Sequence, residues 1–284
     1  FVVANLCVGF GAVLGFIYWE LRATDPIFNV RLLRNSKFAF ACLASFLVGI
    51  TMFGSFYLQP VFVQIVQNYT PLRAGLVLVP GGLAMGLLLP IAGRLADRYP
   101  PSLVLASGFL LFAISTWLMG FTDADTAFWT FAWLVVLGRL GQGLLFPPVT
   151  KAGLAAAPPE QMGTANGMLN FTRQMGGAFG INLLAIHLER RTAYFSELLA
   201  TTQTEDNTAT QGLLGTVRDM LGSAGLPEVT EALVAKLYLG RVIAAQATAL
   251  AFRDTFIVFA MISLFAVLVA LALWSPAPRR KRTN

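Results

Sequence analysis

The apolar positions of this chain fall into long unbroken runs, not alternating pairs. Crossing a bilayer as helix takes about 17 to 25 residues. Seven runs meet that length: Phe1 to Trp19, Phe38 to Gln67, Ala74 to Ala92, Ser102 to Phe121, Ala127 to Val149, Gly163 to His187 and Thr255 to Trp274. The second is long enough to tilt or protrude. Backbone groups in hydrocarbon must be bonded within their own segment, and the sequence lacks the short alternating strands of a β-barrel, so each run is expected to be a helix. The fold class is all-α, a polytopic helical membrane protein.

The polar interruptions set the organisation. Residues 1–187 read as six transmembrane helices with short loops, 188–254 as an extracytoplasmic loop, 255–274 as the final transmembrane helix and 275–284 as a basic cytoplasmic tail. Helical stretches are expected inside the long loop at Glu197 to Leu199, Leu213 to Leu221 and Val229 to Ala251. Flexible joints are expected at Thr201 to Thr210 and Gly222 to Pro227. Basic residues fix the orientation. Arg22, Arg31, Arg34 and Lys37 lie between the first two runs, Arg94 and Arg98 between the third and fourth, and Arg279, Arg280, Lys281 and Arg282 close the chain. All three groups fall on one side, which the positive-inside rule makes cytoplasmic, in a multi-pass protein of the plasma (inner) membrane.

Composition agrees: 56% of residues are hydrophobic and 12% charged, with a mean hydropathy of +0.69, against roughly 25% charged in a soluble domain. The net charge of +6 is mainly a topology signal, with attraction to the anionic lipid of the bilayer; the short basic tail does not indicate a nucleic-acid partner. No nucleophile, base and orienting group converge, no metal-ligand spacing occurs and no phosphate-cradling loop follows a strand, so an enzyme is not expected and no cofactor is called for. Cys7 and Cys42 each stand alone in a span and read as packing residues. Phe1 opens inside an apolar run with no initiator Met, so a truncated chain is expected.

Two arginines lie deep. Arg139 is near the middle of its span, and Arg173 is ten residues into its own, roughly 15 Å of helix. At such depth a charge costs about 2.5 to 3.5 kcal/mol on insertion scales, so each should face a bundle interior or an aqueous cavity. The acidic residues Glu20, Asp97, Asp123, Asp125, Glu160 and Asp254 all fall in loops or near span ends. Three kinds of partner are open: amides and carbonyls of neighbouring helices, an acidic residue elsewhere in a larger protein, or an anionic group on a substrate. Asn166, Asn170, Arg173 and Gly177 recur at helical spacing and should form one stripe facing a pathway. Arg139 and Gln142 make a second polar patch, with Gly138, Gly141 and Gly143 permitting close helix approach. Gln59 and Gln64 add polar contacts on the second span, beside Tyr57 and Phe62, and Pro60 should bend it. His187 is the sole histidine and reads as an interfacial residue at the outer end of its span.

Between the third and fourth runs stands Gly93-Arg94-Leu95-Ala96-Asp97-Arg98, expected to be a tight turn at the membrane surface. Gly93 would let two helices turn, Asp97 would accept N–H bonds at the next helix start, and Arg98 would bridge to carboxylates or helix C-termini. Further along come Pro60-Val61-Phe62-Val63-Gln64, Thr70-Pro71-Leu72-Arg73-Ala74-Gly75, Gly138-Arg139-Leu140-Gly141-Gln142-Gly143, Phe146-Pro147-Pro148, Arg173-Gln174 and Phe252-Arg253-Asp254-Thr255-Phe256. As an ordered set these resemble the fourteen-span drug:proton antiporters of the major facilitator superfamily, the EmrB/QacA type. The resemblance implies the C-terminal seven spans of such a transporter, with Gly93, Asp97 and Arg98 as a conformational latch; Tyr99-Pro100-Pro101 departs from the fuller pattern. It implies export of hydrophobic drug-like compounds in exchange for protons by alternating access. The partners it implies are a small-molecule substrate and protons, the missing N-terminal half of the same transporter, which would carry the coupling carboxylates, and a periplasmic adaptor protein. Export of a lipid or anionic metabolite, or a non-transporting membrane scaffold or sensor, remain the alternatives.

Overall fold

A computed structural model describes residues 30–201, 208–223 and 228–272, together with Gly11 and Gly15. The run Phe1 to Trp19, Cys7, Glu20, Arg22 and the tail 275–284 lie outside the described residues, apart from those two glycines. So do 202–207 and 224–227, where the joints are expected.

The described residues contain no strand. A 3-10 turn, Val30–Arg34, leads into α1 (Ser36–Ile65), α2 (Pro71–Arg98), α3 (Pro101–Met119), α4 (Phe128–Gly143), α5 (Phe146–Ala155), α6 (Met162–Thr201), α7 (Thr208–Ser223) and α8 (Glu228–Ala272). The starts follow from local chemistry. Asn35 caps α1, its side-chain oxygen accepting from Lys37 N, and Thr70 caps α2 ahead of Pro71 at the first helical position. The connection between them turns on Asn68, whose φ of 53° is left-handed. Asparagine tolerates that conformation better than most side chains.

Among the described residues, five helical segments are long and apolar enough to cross a membrane: Ser36–Ile65, Pro71–Arg98, Pro101–Met119, Phe128–Ala155, which takes in α4 and α5, and Leu233–Ala272. The expected span from Gly163 to His187 is helical as part of α6 but is not among the five. Asn166, Asn170, Arg173, Gln174 and Asn182 dilute its apolar content, so α6 depends on the bundle for cover. The fifth run divides at Leu144 and Leu145, where Pro147 and Pro148 open α5 without N–H groups to continue the ladder of α4. The second does not divide, since α1 continues through Pro60 to Ile65.

The stretch 188–254 is mostly helix. The span at Gly163 continues to Thr201 and α8 begins at Glu228, with α7 packed on α8. Arg191 of α6 donates from Nε to Asp254 of α8 at 2.8 Å.

Small residues set the closest crossings. The most extensive pairing joins α1 to α6, followed by α3 with α8 and α2 with α4. A side chain on Gly180 would meet the Ile50 Cα at 2.8 Å, and one on Gly49 or Gly176 would run into the backbone of the facing helix. The same holds between α3 and α4, where a Cβ on Gly141 would meet the Gly108 carbonyl at 2.7 Å. Aromatic rings fill the other interface. Phe62 stacks on Phe131 at 5.2 Å and meets Phe252 and Phe256 edge-on at 5.4 and 5.5 Å, so it is a core residue.

Gly176→Ala should therefore destabilise the bundle by about 1 to 3 kcal/mol through overpacking. Gly82→Ala on α2, with open space around it, should leave the midpoint unchanged or raise it. Thermal unfolding in detergent separates the two; equal midpoints would contradict the close crossing.

Candidate functional site

Arg139 lies on α4 with only 4% of its surface exposed, and its guanidinium is enclosed by polar groups of α1 and of α4 itself. Nη1 donates to the Gln142 Oε1 at 2.8 Å and to the Ser55 Oγ at 3.4 Å, and Nη2 donates to the Gln59 Oε1 at 3.3 Å. The Gln142 amide continues the network, donating to the Thr51 carbonyl and the Ser55 Oγ, each at 2.9 Å. The Phe56 ring lies 4.3 Å from the guanidinium carbon, a cation–π contact. Room for the arginine stem comes from α2, where a Cβ on Gly81 would stand 2.9 Å from the Arg139 Cγ. Its partners among the described residues are neutral amides, a hydroxyl and a ring.

The sequence reading names Gln59, Arg139 and Gln142, and the structure brings them together. It omits Thr51 and Ser55. Their signal is the recurrence Thr51, Ser55, Gln59 at every fourth residue, which aligns three polar groups on one face of α1. Gln64 is not part of the cluster. It is exposed and donates to the carbonyl of Pro60 in its own helix at 3.1 Å.

A second polar group runs along α6. The Asn170 Nδ2 donates to the Asn166 carbonyl at 3.0 Å, and the Arg173 Nη2 donates to the Asn170 Oδ1. The Arg173 guanidinium lies 4.9 Å from the Phe146 ring centroid on α5. Asn166 is exposed and Arg173 half-buried, whereas Gly177, expected on the same stripe, is buried against the Phe53 ring. The stripe is therefore three residues long, because the helix turns its glycine into the α1 crossing.

The charged island is helix and not turn. Gly93, Asp97 and Arg98 occupy the last two turns of α2, and the reversal falls on Tyr99 and Pro100. Space around Gly93 is open, so no close approach requires its missing side chain. Asp97 does not cap α3, whose N-terminus has no side-chain cap. Its carboxylate instead accepts from the Lys151 Nζ of α5 at 2.7 Å, and Nζ also donates to the Ala96 carbonyl at 2.8 Å. Arg98 is exposed. Beside this pair opens a groove of about 770 Å³ whose walls include Gly93, Asp97, Phe146, Lys151 and Met162. At the opposite end, the His187 Nε2 is buried without a hydrogen-bond partner among the described residues, one turn before Arg191.

Residues 4–181 match the family profile described as Major Facilitator Superfamily. This chain belongs to that superfamily. Similar proteins include the multidrug export protein EmrB of Escherichia coli (strain K12), 30% identical over 173 residues, covering 61% of this chain and 34% of EmrB. The methylenomycin A resistance protein of Streptomyces coelicolor (strain ATCC BAA-471 / A3(2) / M145) is 31% identical over 173 residues, 60% of this chain and 36% of that protein. The uncharacterized MFS-type transporter YhcA of Bacillus subtilis (strain 168) is 26% identical over 206 residues, 72% and 39%. This major facilitator chain thus spans 34% to 39% of the length of these three relatives.

Replacing Gln142 by Leu removes the 2.8 Å hydrogen bond to the Arg139 guanidinium and leaves it only Ser55, Gln59 and the Phe56 ring, which should cost about 1.5 to 3 kcal/mol, the range for a hydrogen bond to a charged group. Gln64→Leu should be close to neutral. Unfolding midpoints in detergent check both, and equal loss in the two variants would contradict the enclosed network.

Proposed function

We propose that this chain forms one helical bundle of a secondary active exporter that moves hydrophobic drug-like compounds out of the cell in exchange for protons by alternating access. The supporting observation is membership of the Major Facilitator Superfamily together with similarity to proteins named for multidrug export and methylenomycin resistance. Gln59, Arg139 and Gln142 brace the pathway wall, while Asn166, Asn170 and Arg173 contribute a polar rail on α6. Asp97 and Lys151 hold the end of α2 to α5, and breaking that pair frees the helix end during the conformational cycle, with Gly93 and Arg98 alongside.

The basic end, carrying Arg31, Arg34, Lys37, Arg94, Arg98 and Lys151, faces the cytoplasm of the plasma (inner) membrane. A second, N-terminal half of the transporter covers α2, of which a 17% share of the apolar window is buried in the bundle and whose Gly75, Gly82, Gly86 and Gly93 have open space. Coupling carboxylates lie in that half. At the outer end, α6 has 40 residues, about 60 Å of helix, and α8 has 45, about 67 Å, against a hydrocarbon core of about 30 Å. Their projection with α7 offers a surface to a periplasmic adaptor protein. An anionic cargo draws less support from this geometry, since the amides of Gln59 and Gln142 already occupy Arg139.

Efflux of a fluorescent drug from vesicles, driven by an imposed proton gradient, tests the reading with the full-length transporter. Gradient-dependent flux is expected, and Arg173→Ala should reduce it several-fold. A scaffold or sensor would give no flux under the same gradient, and unchanged flux in Arg173→Ala would remove that residue from the pathway. Asp97→Lys should slow export and the paired change Asp97→Lys with Lys151→Asp should restore it; no restoration would separate the two residues.

A further inference from the structure

Along α6 the exposed positions divide into two edges. Phe171, Met175, Phe179 and Leu183 recur at every fourth residue and are all exposed, an apolar edge of the kind that suits lipid. Gly163, Gly167, Asn170, Gln174 and Ala178 follow one another at spacings of four, three, four and four on the edge beside it, and none carries a large apolar side chain. Space around Gly163 and Gly167 is open. The other side of the helix, with Leu169, Gly176, Gly180 and Leu184, is buried in the bundle.

The amides near this edge differ in what they hold. Asn170 is engaged at both ends, donating to the Asn166 carbonyl at 3.0 Å and accepting from Arg173, and the Asn182 amide donates to the Ala178 carbonyl at 2.8 Å. The Gln174 side chain is exposed and has no hydrogen bond among the described residues. It stands twelve residues from the start of α6, roughly 18 Å of helix and so near the middle of a hydrocarbon core of about 30 Å. Two N–H donors and a carbonyl left bare at that depth are costly in lipid, whereas the apolar edge next to them is not. The helix therefore turns its apolar edge to lipid and Gln174 to a polar space.

We infer that Gln174 is a cargo-contacting residue of the transport pathway, a neutral amide that selects among compounds by their hydrogen-bonding groups. Gly167 and Ala178 leave room on either side of it, and a donor and an acceptor on one flexible stem can meet either sense of partner. The inference rests on the export reading for the pathway itself. It adds to Asn166, Asn170 and Arg173 an amide that is free to change partners.

Gln174→Cys and Met175→Cys in the full-length transporter, reconstituted in liposomes and treated with a charged, membrane-impermeant methanethiosulfonate, show which edge meets water once labelling of the parent is subtracted. Modification about tenfold faster at position 174 is expected, since the reagent needs a hydrated thiolate. Equal rates overturn the inference. In gradient-driven efflux, Gln174→Leu should change the preference between a phenolic bisbenzimide dye and its O-ethyl ether by about fivefold, the worth of one hydrogen bond, while Met175→Leu leaves it unchanged. A preference within about twofold of the parent in Gln174→Leu also overturns it. Fast modification of Gln174→Cys with no flux from the parent would contradict the export reading and leave this edge in water. Flux with slow modification would do the reverse.

Discussion

The burial of the Arg139 guanidinium is the constraint on which the rest of the bundle depends. A cation at this depth must find partners that water would otherwise supply, and insertion scales put the cost of failure at about 2.5 to 3.5 kcal/mol. Gln142 meets part of the requirement from α4 itself, and Gln59 and Ser55 meet the rest only if α4 stands against α1 in one axial register. Helix approach then has to be close. Gly81 makes room for the arginine stem, and Gly138 and Gly141 let α3 reach the same helix from another side. The position of three helices thus follows from one side chain and the small residues around it.

Magnitudes distinguish what should stay fixed from what can move. The Arg139 network is desolvated and shared among several partners, so opening it would strand a buried charge. Asp97 and Lys151 differ. Their side chains are 78% and 43% exposed, and such a pair contributes no more than about 1 kcal/mol. A contact that weak suits an element made and broken in each cycle, whereas the α1–α4 core suits a body that moves as a unit. In the proposed exporter the bundle rocks as one piece, and the α2–α5 end is where its local contacts change.

Much of this was legible in one dimension because membrane helices announce themselves by length. The described apolar runs lie in helices except at their ends and at Leu144 and Leu145, and Arg139, Gln142 and Gln59 stand out as polar residues where polarity is costly. One misreading has a plain cause. Gly93 to Arg98 looks like a turn because charges end an apolar run, yet a helix terminus in contact with water carries three charges easily, and Tyr99-Pro100 makes the reversal. Residues 188–254 read as a loop with helical stretches, and helix covers Leu188 to Thr201, Thr208–Ser223 and Glu228 to Asp254 among the described residues. Lys151 could not be matched to Asp97 from sequence, since 54 residues separate them and their contact depends on how α5 kinks away from α4.

The central claim is that Arg139 is held by α1 as a unit and is not a free charge awaiting a ligand. A double-mutant cycle of Arg139→Met and Gln59→Leu, read from unfolding free energies in detergent, tests it most directly. Coupling of about 1 to 3 kcal/mol between the two sites is predicted, as for partners in one network. Additive losses would mean that the two side chains act independently, and would contradict the account.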